Sequence, residues 1–173
     1  MNKVILIVPV LILIIAASGC TYKDEGPGIN NIYNDSEVYF EYPHEYTIKD
    51  VNSTNGIFVE GVSGWDYNCT FKISQESLDS AGKVNGMNPY DFKNITRLTN
   101  ANYTVEEVQN ITIDNVTALD IIYAHYSVPY VKYESIIFDK NMKRYNILFE
   151  YQGVGVTDTR AVVAITNTFR VLE

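Results

Sequence analysis

The stretch YTVEEVQNITIDNVTALDIIYAHY, residues 103–126, decides the fold class. β-Branched and aromatic residues fill both of its halves, which is typical of β-strands. Asp114 and Asn115 stand between the halves and tolerate a positive φ, so they predict a two-residue hairpin turn. Residues 116–126 carry apolar side chains at both odd and even positions, which predicts a central strand covered on both faces.

The segments on either side of this hairpin also have the composition of strands. Pro43 ends the first of them, and the chain resumes as a strand after it. Residues 63–66 and 139–142 predict hairpin loops, and the polar residues 74–88 predict an exposed loop. The further predicted strands are residues 38–42, 45–48, 56–62, 67–73, 133–138 and 145–151.

Two segments predict helices. In the first, Asn88 is a cap and Pro89 is the first helical residue of a helix that ends near residue 99. Its apolar stripe is Phe92, Ile95 and Leu98. In the second, Thr157 is the cap and Asp158 lies near the positive end of the helix dipole. Its apolar face is Val162, Ile165, Phe169 and Leu172. The sequence therefore predicts an α+β fold, an antiparallel β-sheet of about six to eight strands sandwiched by helices.

Four motifs resemble the PsbP/Mog-type fold, an antiparallel sheet between helices. They are YFEYPHEYTI (39–48), ITIDNVTA (111–118), YNILFE (145–150) and TFRVL (168–172). The resemblance spans residues 37–173 and is to the secreted or lipid-anchored PsbP-related proteins of methanogenic archaea in particular. This chain departs from the family in having Tyr46 where Trp is usual and in lacking Gly at the 114–115 turn.

The resemblance implies a domain that is not an enzyme. Relatives assist photosystem assembly in one branch of the family and bind a small GTPase in another. The resemblance transfers neither partner to this chain, since no set of residues here matches the functional sites of those relatives. It implies no cofactor.

The N-terminal segment predicts export. Lys3 precedes an apolar run, residues 4–17, that is shorter than the roughly 20 residues of a membrane-spanning helix. Residues 17–20, Ala-Ser-Gly-Cys, resemble a lipobox, in which Cys20 would carry the lipid and become the new N-terminus. The sequence thus predicts a signal peptide with a lipobox (1–19), a flexible tether (20–36) and a PsbP-like domain (37–173). An ordinary signal peptide or an uncleaved anchor is the alternative.

The net charge of the chain favours membrane attachment through the N-terminal segment over attachment through the surface of the domain. The net charge of −8 disfavours binding to nucleic acid and to anionic lipid headgroups. Attachment to the membrane must then come from the N-terminal segment, which places the domain outside the cytoplasm on the cell membrane. Cys69 alternates with apolar residues in its predicted strand, so we expect it in the core rather than in a reactive or metal-binding site.

The chain is rich in Asn-x-Ser/Thr sequons. In an exported protein such a density suggests a glycoprotein, although Asn and Thr are abundant enough to produce several matches by composition alone. The candidate N-glycosylation sites are Asn34, Asn52, Asn68, Asn94, Asn102, Asn110 and Asn115.

The sequence contains no recognisable set of catalytic residues. His44 follows Pro43 and is expected to be exposed, while His125 lies on a predicted strand, so a metal site would need both to converge with carboxylates. Asp114 and Asp120 could hold a weak cation across their hairpin, but solvated surface charge is the expected state of both. The sequence therefore predicts neither a metal nor a catalytic site.

Tyrosine is the most conspicuous excess, with 14 residues. Exposed tyrosines together with the single tryptophan can grip a protein partner or stack on sugar, although Tyr also fills half-buried strand positions. The candidate binding patch is Trp65, Tyr126, Tyr130 and Tyr133. The predicted function is a non-catalytic cell-surface lipoprotein that binds or helps to assemble an extracellular partner. The alternatives are a carrier of a small apolar ligand or, less well supported, a cell-envelope hydrolase.

Overall fold

The computed structural model describes residues 30–50, 57–63, 69–82, 103–125, 130–153 and 158–172. In chain order the strands are β1 (Asn31–Asn34), β2 (Val38–Tyr42), β3 (Tyr46–Asp50), β4 (Ile57–Ser63), β5 (Cys69–Ser77), β6 (Thr104–Ile113), β7 (Val116–His125), β8 (Val131–Lys140), β9 (Lys143–Gln152) and β10 (Arg170–Val171). The helix α1 (Thr159–Thr168) lies between β9 and β10. Within these residues the fold is mostly antiparallel β-structure with a single helix.

The strands form two antiparallel sheets. The large sheet has the strand order β3-β4-β5-β9-β8-β7-β6, and the small sheet has the order β1-β2-β10. Neighbouring strands in the large sheet are mostly neighbours in the chain, and the pairing of β5 with β9 joins its two halves.

Two-residue turns form two of the hairpins in the large sheet. Asp114 and Asn115 join β6 to β7 with φ values of 47° and 63°, which confirms the predicted turn. Asn141 and Met142 join β8 to β9 in the same way, with φ values of 51° and 58°. The predicted loop at 139–142 is therefore too long, because Asp139 still pairs in the ladder with a residue of β9.

Strand β7 confirms the prediction of a strand that is covered on both faces. Ala118 and Ala124 are fully buried on one face, while Ile121, on the other face, is only 2% exposed. Its position is not central, however, since only β6 separates it from the edge of the sheet.

The small sheet contains strands that the sequence did not predict. β1 pairs with β2 and lies inside the predicted tether, so the folded domain begins before residue 37.

Two strands of the large sheet also differ from the prediction. β3 does not continue β2 after Pro43, because the Tyr46 amide donates to the Pro43 carbonyl at 3.0 Å in a turn that redirects the chain into the large sheet. β5 likewise runs through Ser77, into the segment predicted as a loop.

The helix α1 is shorter than predicted. Its N-cap is Asp158, whose side chain accepts hydrogen bonds from the amides of Arg160 and Ala161 at 3.2 and 3.3 Å, so the prediction of Thr157 as the cap is wrong. Phe169 is the C-cap, and the chain then pairs with β2 as β10. Leu172 consequently lies beyond the helix and is 37% exposed.

The core lies between one face of the large sheet and the layer formed by α1 and the small sheet. Phe40 of β2 and Phe169 stack with their ring centroids 5.9 Å apart. Phe71 of β5 and Phe138 of β8 meet these rings edge-on, at 6.1 and 5.6 Å. We call this face of the large sheet the core face. All four phenylalanines are fully buried, so aromatic packing joins the two layers.

Gly61 has no side chain, and this leaves room for the Phe71 ring. It lies opposite Phe71 in the β4–β5 ladder, and the Phe71 ring covers its backbone. A Cβ at this position would lie only 2.1 Å from Phe71 Cε1. An aromatic ring over a cross-strand glycine is a recognised way of packing such a position.

Replacing Gly61 with alanine should therefore destabilise the domain. We expect Gly61→Ala to lower the free energy of unfolding by about 2–3 kcal/mol, because overpacking a filled core costs that much. Chemical denaturation would measure the loss. Combining Gly61→Ala with Phe71→Leu should cost less than the sum of the single changes, and strictly additive losses would show that the ring contact is not the cause.

Other predictions fall outside the described residues. These are the signal segment 1–19, most of the tether, and the helix predicted at 88–99. Among the described residues, no helix has the length and apolar character needed to cross a lipid bilayer.

Candidate functional site

An aromatic cluster occupies one end of the large sheet, on the face opposite to the core face. Tyr123 of β7 and Tyr133 of β8 are directly opposite each other in the ladder, and their rings stack at 5.1 Å. Tyr103 meets both rings edge-on, at 5.5 and 5.7 Å, and contacts the His125 ring at 5.3 Å. We call these four residues the aromatic cluster.

Two hydroxyls of this cluster, those of Tyr123 and Tyr133, stay protonated. Burial raises the pKa of Tyr123 and of Tyr133 above the ordinary tyrosine value, and the charge of Glu150 raises both further. Such hydroxyls can donate hydrogen bonds at any physiological pH, while the rings offer apolar area. The cluster therefore combines a large apolar surface with polar tips.

The predicted binding patch is only partly within the described residues. Tyr133 belongs to the aromatic cluster and is half-buried, and Tyr130 is half-buried just before β8, with its carbonyl accepting from the Gly153 amide at 3.1 Å. Trp65 and Tyr126 lie outside the described residues. The structure thus brings Tyr133 together with Tyr103 and Tyr123, which the sequence reading had not assigned to the patch.

An acidic pair lies on the core face, beside the hydrophobic core. Asp120 of β7 is opposite Ile136 of β8, and Glu134 is opposite Ile122. Asp120 and Glu134 therefore occupy diagonal positions on one face of two neighbouring strands, where Cα atoms are about 7–8 Å apart. We call these two residues the acidic pair.

The first partners of the acidic pair come from the flanking strands. Asp120 Oδ2 accepts a hydrogen bond from Gln109 Nε2 at 2.9 Å, and Glu134 Oε2 accepts one from the Tyr151 hydroxyl at 3.3 Å. Lys132, the nearest cation on β8, forms its own ion pair with Glu106 at 3.1 Å. The Lys132 ammonium is thus close to the acidic pair, but it already forms an ion pair with the Glu106 carboxylate.

The environment raises the pKa of both acids. Burial raises the pKa of Asp120, and the charge of Glu107 adds to this effect, while the hydrogen bond from Gln109 opposes it. Burial also raises the pKa of Glu134 to about 7, with the charge of Asp120 as the second cause. The Tyr151 hydrogen bond and Lys132 only partly oppose this rise. Glu134 therefore gains or loses a proton near neutral pH.

One oxygen of the acidic pair lacks a partner. Asp120 is 4% exposed, and its Oδ1 atom is buried without a hydrogen bond, one of three such side-chain atoms in the part of the chain that the structure describes. Leaving a buried acceptor unpaired costs about 1–3 kcal/mol. Such an atom in a native structure requires an explanation.

The expectation that Asp114 and Asp120 are solvated is wrong. Asp114 is 7% exposed, because its carboxylate contacts Lys140 Nζ at 2.6 Å and accepts from the Val171 amide at 2.8 Å. Asp120 lies on the core face of β7 and is 4% exposed.

Glu134→Gln should remove a pH dependence of stability. The folded-state pKa of about 7 is above the ordinary value of 4.5, so stability is full below pH 4.5 and falls as pH rises from 4.5 to about 7. Allowing for its partial exposure, we expect the variant to be more stable than the wild type by about 1–2 kcal/mol at pH 8 and equal to it at pH 4. Denaturation at a series of pH values measures this difference. Glu76→Gln, at an exposed site on β5, is the control; identical pH profiles for E134Q and the wild type would refute the assignment.

The remaining candidate residues do not converge. His44 is exposed, with 58% of its side chain accessible, whereas His125 lies in the aromatic cluster. Within the described ranges no group of three His, Cys, Asp or Glu side chains is placed to hold a metal ion. Cys69 is buried in the core as predicted, and burial raises the pKa of its thiol to about 11, so it is a poor nucleophile.

The sequon residues that the structure describes lie at the surface. Asn34, at the end of β1, Asn110 of β6 and Asn115 in the hairpin turn are all exposed. Asn52, Asn68, Asn94 and Asn102 lie outside the described residues.

The comparisons with known proteins concern the fold. No protein-family model matches this chain, and no curated protein matches it. Among solved structures, cyanobacterial PsbP (CyanoP) from Synechocystis sp. PCC 6803 superposes with a TM-score of 0.51 at 16% identity, over 88% of this chain and 99% of that one. A Mog1 variant superposes with a TM-score of 0.51 at 11% identity, over 78% and 82%.

The fold is of the PsbP/Mog type. LpqN of Mycobacterium tuberculosis, described as involved in cell envelope biogenesis, also superposes, with a TM-score of 0.50 at 13% identity over 86% of this chain and 87% of its own. A protein from Bacteroides thetaiotaomicron has a TM-score of 0.55 at 12% identity over 84% of this chain, which spans about half, 49%, of that protein. At these identities the comparisons establish the fold alone.

Proposed function

We propose that this chain is a non-catalytic lipoprotein of the cell surface whose aromatic cluster binds an extracytoplasmic protein. Cys20 carries the lipid in this proposal, and residues 1–19 are removed on export. The observation that carries the binding role is the packing of Tyr103, Tyr123, His125 and Tyr133 at one end of the large sheet. A relationship to the PsbP-related proteins of methanogenic archaea belongs to the same proposal and rests on the motifs at residues 39–48 and 111–118.

The surface around the aromatic cluster suits a protein partner. Val108 of β6 is opposite Ile121, so its side chain lies on the same face as Tyr123, and it is 44% exposed. Tyrosines that present both ring and hydroxyl are enriched among the residues that dominate protein interfaces. An exposed aliphatic residue next to half-buried tyrosines therefore offers an apolar centre with polar tips. The net charge of −8 favours a partner with a basic surface.

Two observations support a location outside the cytoplasm. LpqN, which has a similar fold, is described as involved in cell envelope biogenesis. The chain begins with an apolar run and Cys20, as an exported lipoprotein would.

The aromatic packing of the core counts against the carrier alternative. A carrier needs a cavity of about 300 Å³ or more between the sheet and the helix to enclose a small apolar ligand. In the described residues this space holds the rings of Phe40, Phe71, Phe138 and Phe169, with centroids 5.6 to 6.1 Å apart. Such spacings are those of rings in contact.

Photo-cross-linking in intact cells tests partner binding. A photoreactive amino acid replaces Val108 beside the aromatic cluster or, as a matched control, Val163 on α1, which is also an exposed valine at 54%. We expect one protein adduct from position 108, none from position 163, and loss of the adduct when Tyr133→Ala is added. Equal adducts from both positions, or an adduct that is indifferent to Tyr133→Ala, would remove the aromatic cluster from the proposal.

Fractionation tests the anchor. Cys20→Ser should release the chain from the membrane fraction, since lipid attachment at that thiol is lost. If the variant stays with the membrane, an uncleaved apolar anchor replaces lipidation in the proposal.

Intact mass measurement tests glycosylation. A glycan on Asn110 would stand beside Val108 on the same strand face, so we expect occupancy at Asn34 and Asn115 rather than at Asn110. Asn→Gln changes at each site, read as discrete mass losses, identify the occupied residues; the absence of any added mass on the wild-type chain would end this part of the proposal.

A further inference from the structure

We propose that the outer edge of β6 takes up an extended basic segment of a partner protein as a further strand of the seven-stranded large sheet. The segment pairs with residues 108–112, which we call the docking edge. This inference rests on the proposed function, because it states how the backbone of a partner at the aromatic cluster is held. Binding through side chains alone would survive the failure of strand addition, so different measurements test the two proposals.

β6 is the last strand of the large sheet. Among the described strands its one neighbour is β7, and their ladder runs from Thr104 to Ile113 of β6. A strand at the edge of a sheet leaves alternate N–H and C=O groups without a partner in the sheet, and such a row can pair with a strand of another chain. Of the ten residues of β6, all except Val105, Ile111 and Ile113 are exposed. The docking edge therefore lies at the surface.

The hairpin turn determines which backbone groups of β6 point away from β7. Ile113 and Val116 flank the two-residue turn and are opposite each other, and in such a hairpin these residues form hydrogen bonds with each other. Alternate residues then direct their backbone groups away from β7, and on the docking edge these are Val108, Asn110 and Thr112. Each of them offers one N–H and one C=O group to an added strand.

β6 lacks the residues that most often protect an edge strand. Lysine and proline discourage edge-to-edge pairing, and β6 contains neither. By contrast β3, at the opposite edge of the sheet, has only five residues and includes Lys49. A bulge between Val105 and Glu107 interrupts the β6–β7 ladder, so regular pairing with an added strand is confined to the residues after the bulge.

The charges beside the docking edge select a basic segment. Glu107 is exposed on the core face of β6, where its charge disfavours the ionised forms of Asp120 and Glu134. The Lys132 ammonium is the cation that pairs with Glu106, at 3.1 Å. A lysine or arginine placed beside Glu107 by an added strand would reduce the repulsion, whereas an acidic residue would increase it.

The opposite face of the same edge selects apolar side chains. Val108 is 44% exposed on this face and lies diagonal to the half-buried Tyr123 in the ladder. Successive side chains of a strand point to opposite faces, so an added strand would place every second residue beside Glu107 and the others beside Val108. The segment that fits the docking edge therefore alternates basic and apolar residues.

A second copy of this chain fits the docking edge less well. Each copy has a net charge of −8 and would bring its own Glu106 and Glu107 to the shared edge. Like charges across an interface repel, so a basic partner is favoured over pairing of β6 with itself. Self-pairing is one of the outcomes that the experiment detects.

Amide hydrogen exchange in the purified full-length chain tests strand addition. The probe is a short peptide of alternating lysine and valine with blocked ends. At saturating peptide we expect exchange at residues 108, 110 and 112 to slow by about tenfold or more, because these amides gain hydrogen bonds. Exchange at residues 109 and 111, whose amides already bond to β7, should not change. Binding through side chains alone would not produce this alternation.

Matched changes separate the backbone from the charges. N-methylation of alternate peptide residues keeps the side chains but removes N–H donors, and we expect it to weaken binding by about tenfold or more. Glu107→Gln should weaken binding by about threefold, whereas Glu76→Gln on β5 should not. Asn110→Pro should abolish binding, since it removes an outward N–H, a position at which an edge strand tolerates proline. Unchanged exchange at residues 109 and 111 of this variant shows that the β6–β7 ladder is intact.

Three results would overturn strand addition. The first is protection of the docking edge that is uniform or absent at saturating peptide. The second is equal binding of the methylated and unmethylated peptides. The third is alternating protection without peptide that grows with protein concentration, which would make a second copy the occupant. If any of these occurs while the cross-links from position 108 still depend on Tyr133, partner binding at the aromatic cluster stands. Loss of those cross-links alone would instead remove the aromatic cluster from the proposed function.

Discussion

Phe169→Ala is expected to lower the free energy of unfolding by about 4 kcal/mol, the largest effect of any single change considered for this chain. Phe169 is fully buried although it lies outside the regular turns of α1. Its ring stacks on Phe40 and meets Phe138 and Tyr145 edge-on, at 5.9, 5.6 and 6.0 Å. The ring thus touches both the small sheet and the large sheet, and its removal leaves a cavity at the junction of the layers.

The position of Phe169 in the chain increases this effect. Its amide donates to the Ile165 carbonyl at 2.8 Å and closes the last turn of α1, and the next residues form β10. A loosened ring would therefore free the end of the helix and the β10–β2 pairing together. Chemical denaturation followed by circular dichroism measures the loss.

Two variants show whether the cavity is responsible. Phe169→Leu retains most of the volume and should recover more than half of the lost stability. Leu172→Ala removes an apolar side chain three residues later, but at a site that is 37% exposed, so we expect a loss below about 1 kcal/mol. Equal losses for F169A and L172A would mean that the junction is not where the layers are held.

The parts of the fold that depend on local signals could be predicted from the sequence. Asp114 and Asn115 tolerate the left-handed backbone, so the β6–β7 hairpin followed directly from their identity and from the strand composition around them. The same holds for β9, where alternate residues are buried from Tyr145 to Tyr151. In such cases the residues that specify the element lie within it.

The parts that depend on distant partners could not be predicted. β10 contains only Arg170 and Val171, and it is a strand because these residues pair with Tyr39 and Val38 at the other end of the chain. β1 is exposed except at Tyr33 and has no apolar alternation that would distinguish it from a tether. Short strands of this kind gain their stability from the sheet they join, not from propensity.

The acidic pair shows a further limit of sequence reading. Strand β7 is apolar on both faces, so its sequence does not tell which face joins the core, and Asp120 could be read as an outward residue. Glu134 is flanked by Tyr133 and Ser135 and alternates like any strand residue. Their proximity depends on the register of β7 with β8. One available signal was the lone carboxylate of Asp120 in a strand that is otherwise almost entirely apolar.

Asp114→Ala is expected to lower the free energy of unfolding by about 3 kcal/mol, the second largest effect. The carboxylate is nearly buried, contacts Lys140 Nζ at 2.6 Å and accepts from the Val171 amide at 2.8 Å. It therefore joins the β6–β7 turn to β8 and to β10. Removing it leaves the partly buried Lys140 ammonium with only the backbone carbonyl of residue 114, at 3.3 Å, and leaves the Val171 amide without its acceptor. It also places alanine at a φ of 47° that alanine disfavours.

These contributions can be separated with two further variants. Asp114→Asn keeps the tolerance for positive φ and an acceptor for Val171 but removes the charge, so its loss should be about half that of D114A. Lys140→Met removes the cation and leaves the carboxylate. If the ion pair carries the effect, the double variant D114N/K140M is more stable than the sum of the single losses implies. Additive losses would instead assign the stabilisation to the Val171 hydrogen bond, which would make Asp114 chiefly the attachment point of β10.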